Sequence, residues 1–313
     1  MPYLISDKIK ISRQIKNITE SSAIQDFTDL QQIGQNASTM SPRCRKGNDI
    51  VDYFTFCQRL ETKGKYNASF FDFLENVEEY KKKKFIKNML QYYEEVKNKN
   101  KTKNEYIVYK EVYNICISAI NIFRPLMAME VYIKYQPTTV LDFCAGWGGR
   151  LVGACALNIK EYIGIEINKD LSESYDKMTS FFSDEERKVN TKIRMYFEDA
   201  TKFDYSKIEY DMVLTSPPYY ALEKYPHNTI YETKKDMNEL FYSALIKNSY
   251  KYLKPGGHFC LNINKEIYDN VCVDVLGQAT SIMPFKKSKR QNDYSECIYV
   301  WDKLLENKLL EKV

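Results

Sequence analysis

The stretch VLDFCAGWGGRL, residues 140–151, places a short apolar run directly before a glycine-rich turn. Val140 and Leu141 belong to a predicted buried strand, and the residues after the glycines begin a predicted helix. In α/β sheets, a nucleotide-like ligand binds at the turn that follows the carboxyl end of such a strand. Glycine lets the backbone approach a ligand closely, and the helix N-terminus offers free N–H groups. This stretch therefore predicts an α/β sheet with a ligand site at its edge.

From residue 138 onward, short apolar runs alternate with helix-like segments. Six runs are predicted strands: 138–144, 161–168, 192–200, 211–218, 258–264 and 297–303. Three helix-like segments lie between them: 149–158, 170–182 and 235–253. The run LKPGG at 253–257 predicts a helix stop and a turn into the fifth strand. This alternation predicts a doubly wound, mostly parallel α/β sheet.

The first third of the chain has a different pattern. From about residue 51 to 120, apolar residues recur every three to four positions, which predicts helices. Residues 1–120 carry 20 Lys and Arg against 15 Asp and Glu, whereas residues 121–313 carry 26 against 27. We expect a mainly helical, basic region at 1–118 and a catalytic domain at 119–313. Basic runs are typical of solvated helix faces, and a surface for a phosphate backbone is the alternative.

The composition argues against several classes of protein. No apolar run approaches membrane-spanning length and the N-terminus is too polar for a signal peptide, so we expect a cytoplasmic or nuclear protein without a membrane partner. The eight cysteines include no CxxC pair, which favours reduced thiols over disulfides or zinc ligands. Two histidines leave little material for zinc sites or His-based triads, and we predict no metal site.

Acidic residues at the ends of the next two predicted strands indicate which nucleotide-like ligand the site would bind. Glu166 ends the second predicted strand, twenty residues beyond Gly146, where a carboxylate can accept both hydroxyls of a ribose. Asp199 ends the third predicted strand. A dinucleotide fingerprint would need glycine at the position of Leu151, and a Walker loop would need a Gly-Lys-Ser/Thr run, which is absent.

The pattern DxxxGxGG from Asp142 to Gly149, followed by Glu166 and Asp199, resembles the cofactor half of the S-adenosylmethionine-dependent methyltransferases. The resemblance implies a Rossmann-like sheet of seven mostly parallel strands. It also implies that Asp142 and the glycine loop hold the methionine part of the cofactor, Glu166 the ribose and Asp199 the adenine amino group. The segment before the first strand resembles the family's cofactor-covering segment, and a plain core helix is the alternative. The implied cofactor contacts are Phe123, Pro125, Asp142, Cys144, Ala145, Gly146, Gly148, Glu166, Ile167, Asp199 and Ala200.

The fourth predicted strand leads into TSPPYY, residues 215–220, at the same edge of the sheet. This run resembles the [DNS]PP[YFW] signature of methyltransferases that modify exocyclic amines of nucleobases. The resemblance implies that Ser216 Oγ and the Pro217 carbonyl accept hydrogen bonds from the amine and that the base stacks on Tyr219. Proline fixes φ and brings no competing donor, so Pro217 and Pro218 keep the carbonyl aimed into the site.

The resemblance implies a site-specific DNA amino-methyltransferase, of the kind found in restriction–modification, that acts on a flipped base or a single strand. The serine form of the motif is associated with cytosine N4, so cytosine is favoured over adenine N6. Many cytosine enzymes have the two motifs in the reverse order, which keeps adenine open. The alternatives are an RNA or protein-glutamine methyltransferase with the same site, and a catalytically silent nucleic-acid-binding subunit.

Recognition of the target has no obvious segment inside the catalytic domain, because nothing of domain size lies between the SPPY motif and the fifth strand. We therefore expect the basic N-terminal region to contact the nucleic acid. Residues 221–229 would form a loop over the flipped base, with His227 as a surface residue rather than a general base. The predicted nucleic-acid contacts are Arg43, Arg45, Lys46, Lys81, Lys82, Tyr220 and Lys224.

Overall fold

A seven-stranded sheet forms the centre of the protein in a computed structural model that describes residues 3–64, 66–220, 227, 229–284 and 297–305. The strands are β1 (Thr139–Asp142), β2 (Glu161–Ile165), β3 (Lys192–Tyr196), β4 (Tyr210–Thr215), β5 (Leu253–Ile263), β6 (Ser281–Pro284) and β7 (Cys297–Asp302). Their order across the sheet is β3-β2-β1-β4-β5-β7-β6. Strands β1 to β5 pair in parallel, and β7 is antiparallel to both β5 and β6. The mostly parallel, doubly wound sheet predicted from the sequence is confirmed.

Helices cover both faces of this sheet and make up the N-terminal region. They are α1 (Ile5–Ile15), α2 (Glu20–Ile33), α3 (Asn48–Glu61), α4 (Phe70–Glu75), α5 (Val77–Lys81), α6 (Lys84–Tyr92), α7 (Glu105–Cys116), α8 (Pro125–Tyr135), α9 (Gly149–Ala156), α10 (Ser172–Phe182), α11 (Lys234–Met237), α12 (Ala244–Tyr252), α13 (Lys265–Ile267) and α14 (Val273–Leu276). No described helix has the length and apolar character that crossing a membrane requires.

The central strands are buried on both faces. In β1, Val140 packs into one hydrophobic core and Leu141 into another, and in β4 Met212 and Val213 divide in the same way. Successive side chains of a strand point to opposite faces, so a sheet covered by helices on both sides needs a continuous apolar run. Because these strands are continuous apolar runs, they can be predicted from the sequence.

Two parts of the sheet differ from the sequence prediction. The predicted turn at 253–257 belongs to β5, which begins at Leu253 immediately after α12 ends. Leu253 pairs with Tyr210 and pairing resumes at His258 opposite Met212, so the residues between bulge out of the ladder. Strand β6 is missing from the prediction because it is a four-residue edge strand with alternate side chains exposed, which leaves no apolar run to detect.

The N-terminal helices divide into two groups. Helices α2 and α3 pack over one face of the sheet, where Phe27 and Ile50 share a core with Leu151 of α9. Helices α4, α6 and α7 enclose a separate core that includes Phe73 and Val112. The helical character predicted for this region is confirmed. The division of the chain at residue 118 stays a prediction.

Helix α3 supports the glycine-rich loop directly. The Thr55 hydroxyl on α3 shares its hydrogen between the Val51 carbonyl of the same helix at 2.9 Å and the Trp147 carbonyl of the loop at 3.2 Å. The Ser174 hydroxyl on α10 donates to the Phe54 carbonyl over 3.0 Å, which ties α3 to the helix behind the loop. The position of the loop therefore depends on a helix that lies far before it in the sequence.

The start of α3 is held by a carboxylate on α2. Asp26 is buried, and its two oxygens accept the backbone N–H groups of Gly47, Asp49 and Ile50 at 2.9, 2.9 and 3.1 Å. The first N–H groups of a helix have no partner within the helix, so this side chain satisfies donors that would otherwise be buried unpaired. Burial raises the pKa of Asp26, and the three N–H donors oppose that rise.

We predict that Asp26→Ala lowers the free energy of unfolding by about 3 kcal/mol, because three backbone donors lose their acceptor. Chemical denaturation followed by circular dichroism measures this change. The matched control is Asp29→Ala on the same helix, whose partly exposed carboxylate pairs with Lys46 and which should cost less than about 1 kcal/mol. Equal losses in the two variants would contradict the role given to Asp26.

Candidate active site

A cavity of about 370 Å³ opens at the carboxyl ends of the parallel strands. Its walls come from the segment before α8, the loop after β1, the ends of β2 and β5, residues 199–200 after β3, and the segment after β4. The order of the sheet reverses between β1 and β4, which is the place where α/β sheets bind ligands. The structure thus brings together the glycine loop, the strand-end acids and the SPPY motif.

The loop after β1 forms one wall, with Cys144, Ala145 and Gly146 facing the cavity. Close packing explains the glycine that follows at position 149. A Cβ atom there would lie 1.8 Å from the carbonyl oxygen of Phe123, so a side chain would push away the segment that closes this wall. Phe123 itself lines the cavity.

Glu166 joins two walls of the cavity. Its Oε2 accepts the N–H of Gly146 over 2.7 Å and its Oε1 accepts the N–H of Asn168 over 2.8 Å. Burial raises the pKa of Glu166, while the two N–H donors lower it. The carboxylate is therefore fixed in position and faces the cavity beside Ile167, as the sequence predicts for a group that binds a ribose.

Asp199 and Ala200 line the cavity after β3. The Asp199 carboxylate accepts hydrogen bonds from the backbone N–H and the hydroxyl of Thr201 over 2.9 and 2.7 Å. Both bonds go to Oδ1, and Oδ2 lies 3.5 Å from the exposed Lys202 ammonium. The carboxylate is oriented by its own loop.

Asp142 lies behind the cavity wall and does not line it. Its Oδ2 accepts hydrogen bonds from Arg150 Nε and from the Tyr162 hydroxyl, both over 2.6 Å. Its Oδ1 is buried without a hydrogen-bond partner among the described residues. The carboxylate turns inward to balance the charge of Arg150, and its contact with the cofactor stays a prediction.

Arg150 is the cavity residue that the sequence prediction missed. Its guanidinium also donates to the Cys144 carbonyl and lies 4.9 Å from the centre of the Phe123 ring. Burial alone would lower the pKa of Arg150, but the Asp142 carboxylate raises it above its usual value. The position of Arg150 directly after the Gly148-Gly149 pair, in the first turn of α9, could have indicated that it lies at the site.

The polar groups that line the cavity suit the polar groups of S-adenosylmethionine. Among the described residues, the lining carries two carboxylates, Glu166 and Asp199, and one guanidinium, Arg150. The cofactor has ribose hydroxyls and an adenine amino group that can donate to a carboxylate, and a methionine carboxylate that can pair with a guanidinium. The residues present therefore fit the cofactor. No group of three or more potential metal ligands occurs among the described side chains.

The SPPY motif forms the wall that comes from β4, and Ser216, Pro217, Pro218 and Tyr219 all line the cavity. The Ser216 hydroxyl donates to Asn262 Oδ1 over 3.1 Å, and the Tyr219 hydroxyl donates to the same oxygen over 3.0 Å. The Pro218 carbonyl accepts the Tyr242 hydroxyl. Asn262 at the end of β5 is a second residue that the sequence prediction missed.

Further predicted contacts lie away from the cavity. Gly148 caps α9 and packs against Met178, and Pro125 is buried at the first turn of α8. Tyr220 turns inward and is 8% exposed. Its backbone N–H donates to the Tyr242 hydroxyl over 3.0 Å. Tyr220 has a positive φ of 50°, and its contact with a nucleic acid stays a prediction.

The basic residues predicted to contact a nucleic acid pair with acidic side chains, are exposed, or lie outside the described residues. Lys46 pairs with Asp29, Lys81 with Glu78 at 2.8 Å and Lys82 with Glu79 at 2.6 Å. Arg43 and Arg45 are exposed, and Lys224 lies outside the described residues. None of the described members of this group lines the cavity, so their contact with a nucleic acid stays a prediction. His227 is exposed, with its ring 3.4 Å from Asp170.

Aromatic and apolar residues from the segment before α12 complete the cavity. Tyr231, Met237 and Phe241 line it, and the rings of Tyr231 and Phe241 are 6.0 Å apart. The sequence prediction missed them because they precede a helix without a recognisable motif. They give the cavity a flat, apolar side in addition to Tyr219.

Comparisons with known proteins show the family to which the chain belongs. The sequence model of a family described as RNA cap guanine-N2 methyltransferase matches residues 137–301, more than half of the 313-residue chain. No curated protein sequence matches significantly. TrmN from Thermus thermophilus is 18% identical, with a TM-score of 0.40, over 57% of this chain and 49% of that chain, so the match spans about half of TrmN. An rRNA methylase from Streptococcus thermophilus is 16% identical, with a TM-score of 0.39, over 59% of this chain and 100% of that chain.

The family match and the sheet order lead to the same conclusion. The match covers the strands from β1 to β7 and the whole SPPY segment. The chain belongs to the methyltransferase family described as RNA cap guanine-N2 methyltransferase, and its cofactor is S-adenosylmethionine.

Proposed function

We propose that the protein methylates an exocyclic amine of a nucleobase in RNA, with guanine N2 as the first candidate. The description of the matching family supports RNA and guanine N2. The description of that family does not support the DNA substrate expected from the SPPY motif. Guanine N2 is nevertheless an exocyclic amine, as are the cytosine N4 and adenine N6 groups expected from the motif. RNA therefore replaces DNA as the main proposal.

The observation that carries the proposal is the acceptor-rich wall between Ser216 and Tyr219. An exocyclic amine is a poor nucleophile because its lone pair is delocalised into the ring. Two acceptors around its N–H groups favour a tetrahedral nitrogen, whose lone pair can then attack a methyl group. Ser216 Oγ and the Pro217 carbonyl are the proposed acceptors, and both residues line the cavity.

The cofactor would be held at the other end of the cavity by Glu166, Asp199 and Arg150. When bound, S-adenosylmethionine supplies an electrophilic methyl group on its sulfonium. Glu166 would accept the ribose hydroxyls, and Asp199 would accept the adenine amino group. Arg150 would pair with the methionine carboxylate, because it is the cation among the described lining residues.

The aromatic residues would hold the base against this end. Tyr219 offers a face for stacking, and Tyr231 and Phe241 line the cavity with it. A base within a duplex cannot enter a cavity of this kind, so the substrate would be single-stranded or flipped out. In the transfer, the amine nitrogen would bond to the methyl carbon as the bond from that carbon to sulfur breaks, and the nitrogen would then lose one proton to water. Catalysis would come chiefly from positioning.

We predict that the protein transfers tritium from methyl-labelled S-adenosylmethionine to RNA in preference to DNA. The experiment offers equal amounts of total RNA and genomic DNA, single-stranded and double-stranded, and counts label in each purified polymer. Label in DNA with none in RNA would contradict the proposed substrate and favour DNA amino-methylation, which the SPPY motif supports. A heat-inactivated sample gives the background.

We predict that Asp199→Ala weakens the binding of S-adenosylmethionine by about tenfold or more, because the adenine amino group loses a charged acceptor. Isothermal titration calorimetry measures the dissociation constant. The matched control is Glu198→Ala, which removes the exposed neighbouring carboxylate and should leave binding unchanged. Equal affinity in Asp199→Ala and the unmodified protein would remove Asp199 from the cofactor site.

A further inference from the structure

Asn262 joins the two hydroxyl groups of the SPPY wall at one oxygen atom. Ser216 and Tyr219 both donate to its Oδ1, over 3.1 and 3.0 Å. Asn262 is 3% exposed and lines the cavity. The SPPY motif therefore rests on a residue from a different strand.

The orientation of the Asn262 amide is determined by a third contact. Its Nδ2 donates to the backbone carbonyl of Cys297 on β7 over 3.1 Å. A carbonyl can only accept, so the amide nitrogen must face β7 and the amide oxygen must face Ser216. The reversed amide would place two oxygens against each other. Asn262 Oδ1 is therefore an acceptor toward both hydroxyls.

This arrangement decides how Ser216 can interact with an amine. A serine hydroxyl has one hydrogen and two lone pairs, and the hydrogen is used in the bond to Asn262. The lone pairs remain for a donor in the cavity. An exocyclic amine presents N–H donors, so a hydroxyl hydrogen aimed at it would place donor against donor.

We propose that Asn262 is a positioning residue that makes Ser216 an acceptor toward the target amine. The inference rests on the proposed function, because it names the atom that faces the amine. Asn262 is suited to this role because it lies on a rigid element beside the motif. Leu261 pairs with Thr215 in the parallel register of β5 and β4, so the next residues of both strands emerge side by side.

The test is a double-mutant cycle on the turnover of methyl transfer. We expect Asn262→Leu to lower kcat by about tenfold to a hundredfold, with the KM for S-adenosylmethionine and the melting temperature little changed. In a Ser216→Ala background, the same Asn262→Leu change should lower kcat by less than about threefold, because the hydroxyl that it orients is gone. A purely structural role for Asn262 would give the same loss in both backgrounds and would overturn the inference.

Two further variants separate the possible routes. Tyr219→Phe removes the other hydroxyl, and Asn262→Leu should keep most of its effect in that background. If the effect disappears with Tyr219→Phe and persists with Ser216→Ala, Asn262 acts through Tyr219 and the inference is wrong. Asn264→Leu is the matched control, since Asn264 caps α13 outside the cavity and its loss should leave kcat unchanged.

The same experiment distinguishes the inference from the proposed function. If the unmodified protein labels DNA and not RNA, the RNA proposal is wrong, and the cycle is measured on DNA with the same expectation for Ser216. If RNA is labelled and Asn262→Leu lowers kcat equally with and without the Ser216 hydroxyl, the proposed function is supported and the proposed role of Asn262 is wrong. Transfer to neither polymer would overturn both.

Discussion

The parallel pairing of β1, β2, β4 and β5 is the constraint on which the site depends. Asp142 pairs with Gly164, and Leu141 pairs with Val213, so three strands end at one level of the sheet. The loops after them then meet over a single edge without any further device. A shift of one residue in either ladder would exchange the two faces of a strand and remove the glycine loop from the SPPY wall.

The glycine loop also depends on charges behind it. The Asp142–Arg150 pair is buried, with side-chain exposures of 0% and 5%. Breaking a buried pair by removing one partner typically costs about 3–5 kcal/mol, because a charge is left uncompensated. The pair thus links the end of β1 to the first turn of α9, and it presents Arg150 at the cavity wall. Asp142 supports the site from behind, and helix α3 supports it from the side through Thr55.

Much of this arrangement is predictable from local sequence. The buried strands and the glycine loop are visible because their requirements are local, namely apolar runs and small residues. Glu166 could be placed because it directly follows such a run, and Asp199 because it lies two residues after the end of one, at Phe197. The inward turn of Asp142, the burial of Tyr220 and the hydrogen bonds of Asn262 depend on partners from other strands and helices. No pattern within one segment identifies those partners, so these three features could not be predicted from the sequence.

We propose that the methyl group goes to an exocyclic amine aimed by Ser216 and Pro217. The most direct measurement is mass spectrometric fragmentation of the methylated nucleoside released from the labelled polymer. We expect the methyl group to stay on the exocyclic nitrogen of the base fragment and the methylated nucleoside to co-elute with the corresponding synthetic standard. A methyl group on a ring nitrogen, a ring carbon or the ribose 2′-oxygen would contradict it.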